Sequence, residues 1–172
     1  MLIDKRYKIE KACSHDSARP ALHEPYLDVP EGRLVATDGM IIAVVPVKEV
    51  DATTEISQHI PIECLKKARH LVAEKKMQPA LIRSLKERLE LTNGQTWRNS
   101  NLGSFPNWKT VMPQDPVSYR ITLSPNKLFL LAQALGVMGD ELVTLECSAP
   151  DQGVHIHVNE AHGIIMPARE DK

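Results

Sequence analysis

The sequence predicts an α+β fold of antiparallel sheets with two helices, in which a unit of strand, helix and further strands occurs twice. Three observations predict it. Short β-branched runs alternate with Pro-, Gly- and Asn-marked turns along most of the 172 residues. Two windows carry clear helical apolar periodicity, and each is opened by a proline, Pro61 and Pro125. Twelve prolines and an aromatic content of 4% suit short strands and bends better than a helical bundle. Residue identity between the two blocks is low, so the repeat is one of structure.

The elements follow in chain order. Residues 7–13 fit either a strand or the stub of a helix. Residues 25–29 and 33–37 flank a Pro30-Glu31-Gly32 turn and read as a hairpin, and 40–47 form a β-branched run of strand length. Asp38-Gly39 between these runs suits a tight turn, because glycine tolerates positive φ. A three-stranded antiparallel sheet results, followed by a polar connection over 53–58 without apolar periodicity. Pro61 is placed at the first helical position, and Ile62, Leu65, Ala68 and Val72 recur at helical spacing to about Glu74. Residues 80–91 also fit a helix by Leu81, Leu85 and Leu89. The neighbouring Leu89-Glu90-Leu91-Thr92, Asn93-Gly94 and Gln95-Thr96-Trp97-Arg98 form a hairpin pattern and favour strands. The prolines of 105–113 end any regular element there.

The second block repeats the order. Residues 118–123 alternate as a strand, Ser124 is a good N-cap, and Pro125 follows it at the first helical position. Leu128, Leu131, Ala132 and Leu135 make a buried stripe that stops at Gly136. Strands are expected over 141–148 and 154–158, with a last one entering 163–169.

Composition narrows the function. Lys and Arg total 21 against 22 Asp and Glu, so no global field announces nucleic acid or membrane, and any DNA contact must come from a local patch. The most basic stretch is the polar face of the Pro61 helix, with Lys66, Lys67, Arg69 and His70, followed by Lys75 and Lys76. It reads equally well as a solvated face or as a surface that tracks phosphates. Cys13, Cys64 and Cys147 are odd in number and widely spaced, which suggests free thiols in a reducing cytoplasm. No signal-peptide pattern or membrane-length apolar run is present, and a cytoplasmic protein is expected.

Catalytic patterns are weak. His155 and His157 form His-x-His on a strand, with His162 nearby, and two imidazoles on one face could hold a metal. The competing reading makes Val154, Ile156 and Val158 the buried set and leaves both histidines facing solvent; no carboxylate or cysteine stands at ligand spacing to favour a metal. Asp38 beside Gly39 suits a turn better than acid–base work. Cys64 near a helix start has no base placed to activate it. Nucleotide-binding glycine loops and a nucleophile elbow are absent from the sequence, so no cofactor and no enzyme activity are expected.

Three segments, in order, carry a resemblance. Arg19-Pro20-Ala21-Leu22 with Leu34-Val35-Ala36-Thr37-Asp38-Gly39 resembles the Arg-x-x-Leu and Ala-Thr-Asp-Gly-His-Arg-Leu signature in the middle domain of bacterial DNA polymerase III beta sliding clamps. Phe105-Pro106-Asn107-Trp108-Lys109-Thr110-Val111-Met112-Pro113 resembles the Phe-Pro-Asp-aromatic-Arg-Arg-Val-Leu-Pro segment that closes that domain. Gly163-Ile164-Ile165-Met166-Pro167-Ala168-Arg169 resembles the clamp's C-terminal Val-Val-Met-Pro-Met-Arg. The likeness spans about residues 17–169. It implies a clamp-like domain over 1–115 and a clamp-like half-domain over 116–172.

The departures are informative. Met40-Ile41 stand where clamps have His-Arg, and Thr110 replaces one arginine, leaving a more apolar cleft. A clamp protomer has three domains of two units each and closes its ring as a dimer, whereas this chain matches about three units. A ring of that size would need about four copies, so a homo-oligomer is implied if a ring forms.

The resemblance implies a non-enzymatic protein whose cleft, formed by Leu22, Thr37, Gly39, Ile42, Pro106, Val111, Ile164, Met166 and Pro167, takes short peptide motifs of polymerases or other replication and repair proteins. For Ile42, Val111 and Ile164, ordinary core packing is an equal reading. Clamp helices line the DNA channel, so Lys66, Lys67, Arg69, Lys75 and Lys76 become the candidate contacts to double-stranded DNA. The Pro125 helix offers only Lys127. A second expectation is a stand-alone decoy or regulator that competes for clamp-binding peptides without encircling DNA; a third is a small metal-binding domain using His155 and His157.

Overall fold

Turn chemistry and strand alternation set the architecture of this computed structural model, which describes residues 1–2, 7–51, 55–74, 81–112, 120–137 and 141–168. The chain divides into two compact units, Met1–Met112 and Pro113–Lys172.

In the first unit, β1 (Tyr26–Asp28), β2 (Arg33–Thr37) and β3 (Ile42–Pro46) form the expected antiparallel meander. A fourth strand, β4 (Gln58–His59), pairs with β1 and gives the order β3-β2-β1-β4. The polar sequence before Ile60 concealed β4, because two residues are too few to show a period. Helix α1 (Ile62–Glu74) follows, with Pro61 immediately before it rather than inside it. The ambiguous segment then resolves into strands: β5 (Ile82–Ser84), β6 (Arg88–Leu91) and β7 (Thr96–Arg98) make a second antiparallel sheet. At its hairpin, Gly94 N–H donates to the Leu91 carbonyl at 2.8 Å. Residues 9–12 form a 3-10 helix, which settles the open reading of the N-terminal segment in favour of a helical turn.

One core serves both sheets. Leu27 and Leu34 from the first, Ile82, Leu89 and Leu91 from the second, and Cys64, Leu65 and Ala68 from α1 belong to a single buried cluster. A polar knot joins the sheets beside it. Ser84 Oγ donates to the Ile56 carbonyl at 2.7 Å, and the amide of Gln58 donates to Ser84 Oγ at 2.6 Å and to the Leu85 carbonyl at 3.1 Å. Ile56 N–H returns a bond to the Ser84 carbonyl at 2.9 Å. Ser84 is fully buried, and leaving such groups unpaired would cost about 1–3 kcal/mol each.

The second unit is smaller. Helix α2 (Pro125–Ala134) begins as expected, with Ser124 Oγ accepting from Lys127 N–H. It ends in a Schellman arrangement: Gly136, at φ +79°, donates to the Gln133 carbonyl, and Val137 donates to that of Ala132, both at 3.0 Å. A three-stranded antiparallel sheet of order β10-β9-β8 packs on the helix: β8 (Thr144–Glu146), β9 (Val154–Val158) and β10 (Ala161–Ile165). Two expected strands are shorter than their sequence runs. β8 occupies three residues, and β10 ends at Ile165, since Pro167 lacks the N–H that would extend pairing. The described part of the expected 118–123 strand, residues 120–123, lies outside any regular strand, although Thr122 accepts from Ala168 N–H at 2.7 Å.

Val154, Ile156, Val158 and Ile165 form the buried core, packed by Leu128, Leu131 and Leu135 of α2. Gly163 admits the helix: a Cβ there would meet Leu131 Cδ1 at 2.8 Å. Among the described residues of this unit the buried core is small, so each member counts heavily. Ile156→Ala is expected to destabilise this unit by about 2–5 kcal/mol, read as an earlier transition in urea denaturation.

Candidate functional site

The residues implied for the cleft fall on both units. In the first, Arg19 ties the Arg19–Leu22 segment to the Thr37–Gly39 turn by donating from Nη1 to the Asp38 carbonyl at 3.3 Å. The turn organises itself. Thr37 Oγ1 donates to the Ile41 carbonyl at 2.6 Å and accepts from Gly39 N–H at 3.0 Å. Asp38 Oδ1 accepts from the N–H groups of Met40 at 2.8 Å and Ile41 at 2.9 Å. These bonds hold the Asp38 carboxyl below its usual pKa range, which is the behaviour of a turn acceptor rather than an acid–base catalyst.

Thr37 pairs with Ile42, so residues 38–41 are a four-residue loop and the strand begins two residues later than its apolar run. Met40, 91% exposed, and Ile41 stand in solvent at the tip. They belong with Thr37, Gly39 and Ile42 as surface groups of this turn. The sequence signal for them was present in the exchange of His-Arg for Met-Ile, but membership of a strand run made them look like sheet residues. Leu22 differs from the expectation. It is 9% exposed and sits at the end of a 3-10 turn, Pro20–Leu22, facing inward.

The Phe105–Met112 strap is pinned over β1. The Phe105 ring stacks on Tyr26 with centroids 5.0 Å apart and meets His59 edge-on at 5.9 Å. Trp108 Nε1 donates to Asp28 Oδ2 at 2.9 Å, and Lys109 pairs with Glu31. Asn107 caps a 3-10 turn, Trp108–Val111, its Oδ1 accepting from Lys109 N–H. The result leaves Pro106 and Val111 outward, Val111 being 68% exposed. Core packing does not account for Val111.

In the second unit, the pleat of β10 sorts its side chains. Ile165 is 6% exposed, whereas Ile164 and Met166 are 64% and 65% exposed; Pro167 is half-buried. Gly153 gives them room, since a Cβ there would meet Ile164 Cγ2 at 2.6 Å and Met166 Sδ at 3.3 Å. No sequence signal marked Gly153, because its partner lies across the sheet.

The basic face of α1 is partly committed to structure. Lys66 and Lys67 are exposed and line, with Glu63, His70 and Trp97, a shallow depression of about 580 Å³. Arg69 is different: its guanidinium pairs with both carboxylate oxygens of Glu10 and donates to the Tyr7 carbonyl at 3.1 Å. Burial alone would raise the Glu10 pKa, but the hydrogen bonds from Arg69 hold it below its usual value. Arg69 is therefore a structural ion-pair partner. Lys75 and Lys76 lie outside the described residues.

Cys64 is buried, and desolvation pushes its thiol up to about 12, so its place near a helix start yields no nucleophile. Cys13 is likewise pushed up by burial to about 12. Among the described residues, no helix is long and apolar enough to cross a membrane.

No family model and no curated relative matches the sequence. Solved structures do. The chain is similar to Caulobacter crescentus pol III beta, with a TM-score of 0.68 at 21% identity, covering 100% of this chain and 51% of that one. It is similar to the C. crescentus beta sliding clamp with PEG bound, with a TM-score of 0.66 at 20% identity and coverage of 97% and 49%. For the DNA polymerase III beta subunit of Thermotoga maritima the values are 0.65, 18%, 96% and 48%. The fold is thus clamp-like, as the three motifs implied, and the chain spans about half the length of the clamps it matches.

Gly39 tests the turn. Its φ is +96°, and a Cβ there would meet Arg19 Nη1 at 2.5 Å, which leaves little space for a side chain. Gly39→Ala is expected to lower stability by about 1–3 kcal/mol and to displace Arg19, seen as a fall in the thermal midpoint.

Proposed function

We propose that this chain is a non-enzymatic, sliding-clamp-like protein that binds short peptide motifs through exposed apolar surface, the peptides being those of replication or repair proteins. The observation that carries the reading is the pair Ile164 and Met166, held in solvent by β10 and its extension beside the buried Ile165. Large apolar side chains fixed by a sheet, with no core to serve, are what a hydrophobic peptide anchor needs. Pro106, Val111, Met40 and Ile41 offer similar surface on the first unit. The clamp-like fold supports the same reading, because the three motifs fall at corresponding places in the order of the chain.

Titration of the full chain with a fluorescent clamp-binding peptide is the test. Saturable binding is expected, and Met166→Asp should weaken it at least about tenfold, since a buried unpaired carboxylate costs more than about 1.4 kcal/mol. A flat titration, or one unchanged by Met166→Asp, overturns the assignment.

The proposed tethering to DNA rests on Lys66 and Lys67 alone among the described basic residues of α1, since Arg69 is engaged by Glu10. Lys66→Glu with Lys67→Glu should reduce retention of the protein on duplex DNA at low salt. The wild-type signal should fall steeply as salt rises. Retention unaffected by the double substitution would mean that α1 is only a solvated face.

A further inference from the structure

The outer face of the second unit's sheet brings together donors that are far apart in the sequence. β8 and β9 pair antiparallel with Glu146 opposite His155 and Thr144 opposite His157. Successive residues of a strand point to opposite faces, so with Val154, Ile156 and Val158 buried, His155 and His157 share the face that carries Glu146. The side chains converge there. The His155 and His157 rings are 4.1 Å apart at their centroids, and His157 Nε2 lies 3.2 Å from Glu146 Oε2. One ligand atom from each of Glu146, His155 and His157 can be chosen so that all three lie within 4.8 Å of one another.

We propose that Glu146, His155 and His157 form a binding site for a divalent transition metal, with zinc as the fitting ion. Two imidazoles and one carboxylate suit zinc and its neighbours rather than magnesium or calcium, which prefer oxygen ligands. Bonds of about 2.0–2.2 Å in a tetrahedron separate the ligand atoms by about 3.4 Å. The Glu146–His157 distance of 3.2 Å already meets this, and a ligand atom of His155 lies within 4.8 Å of both. The single carboxylate offsets part of the ion's charge, and water takes the fourth position. His162 stands beside the triad, its ring 5.5 Å from that of His155, without belonging to it.

The fold gives such an ion a task. β8 is a three-residue strand at the sheet edge whose side chains are all exposed, and the core it borders is built on Val154, Ile156, Val158 and Ile165. A metal shared by Glu146 and the two histidines would pin β8 to β9. Small units with little core commonly gain stability from such a staple. The ligands include none of the residues assigned to peptide contact, although Ile164 stands directly opposite His155 across the β9–β10 pair.

The experiment uses the full chain without tag histidines, stripped with chelator and titrated calorimetrically with zinc. One equivalent should bind and raise the thermal midpoint, as any ligand of the folded state does. Glu146→Gln and His157→Ala should each weaken binding about tenfold or more, while His162→Ala and His15→Ala retain it. The ε1 ring protons of His155 and His157 should shift with zinc in proton spectra of the wild type. Absence of binding, full affinity in Glu146→Gln or His157→Ala, or loss of binding in His162→Ala would each overturn the three-ligand site.

Discussion

In the second unit, helix α2 covers one face of the antiparallel sheet, and the pleat of β9 and β10 then sorts every second side chain toward the helix or away from it. That constraint decides which residues are available for anything beyond folding. On β9 it buries Val154, Ile156 and Val158 and turns His155 and His157 outward; on β10 it buries Ile165 and turns Ile164 outward. A slip of one residue would exchange the two sets entirely. Gly163 protects the arrangement from the helix side by letting Leu131 approach the strand, and Gly153 protects it from the outer side by making room for Ile164 and Met166.

The first unit adds polar fixation to the same scheme. Its core is shared by two separate sheets, and Ser84, Gln58 and the backbone of Ile56 supply a joint between them. Arg69 and Glu10 do likewise for the N-terminal turn, fastening residues 7–12 to α1. Removing one partner of such a partly buried pair leaves the other charge uncompensated, which is why Arg69 is better understood as part of the scaffold than as a phosphate ligand. The aromatic stack of Phe105 on Tyr26 and the Trp108–Asp28 bond hold the strap in the same manner. The strap and the Asp38 turn leave apolar neighbours outside: Val111 beyond Trp108, and Met40 and Ile41 beyond Asp38.

The proposed peptide and DNA contacts therefore rest on unequal observations. Each unit holds exposed apolar groups, Met40, Ile41 and Val111 on the first and Ile164 and Met166 on the second, whose exposure no core requirement explains. The basic surface of α1 is narrower than the charge run suggested, since one of its cations serves the interior. A nearly balanced total charge adds no long-range attraction to duplex DNA.

Much of this was legible in the sequence, because local chemistry dictates local structure. Ser124 and Pro125 opened α2, Gly136 closed it, Asn93-Gly94 turned the hairpin, and the runs at 25–29, 33–37 and 154–158 became β1, β2 and β9. Local chemistry reached only the α+β class; the clamp-like fold was implied by the resemblance of three ordered segments to those of sliding clamps. What the sequence could not supply were the relations across strands. β4 was too short to show a period, and Met40 and Ile41 looked like strand residues until Thr37 paired with Ile42. Glu146 precedes His155 by most of a connecting loop and acquired its place beside the histidines only through the β8–β9 register. Arg69 looked like its basic neighbours until Glu10 met it from 59 residues away. Periodicity fixes which side chains share a face of one strand or helix; only the packed chain decides what stands opposite them.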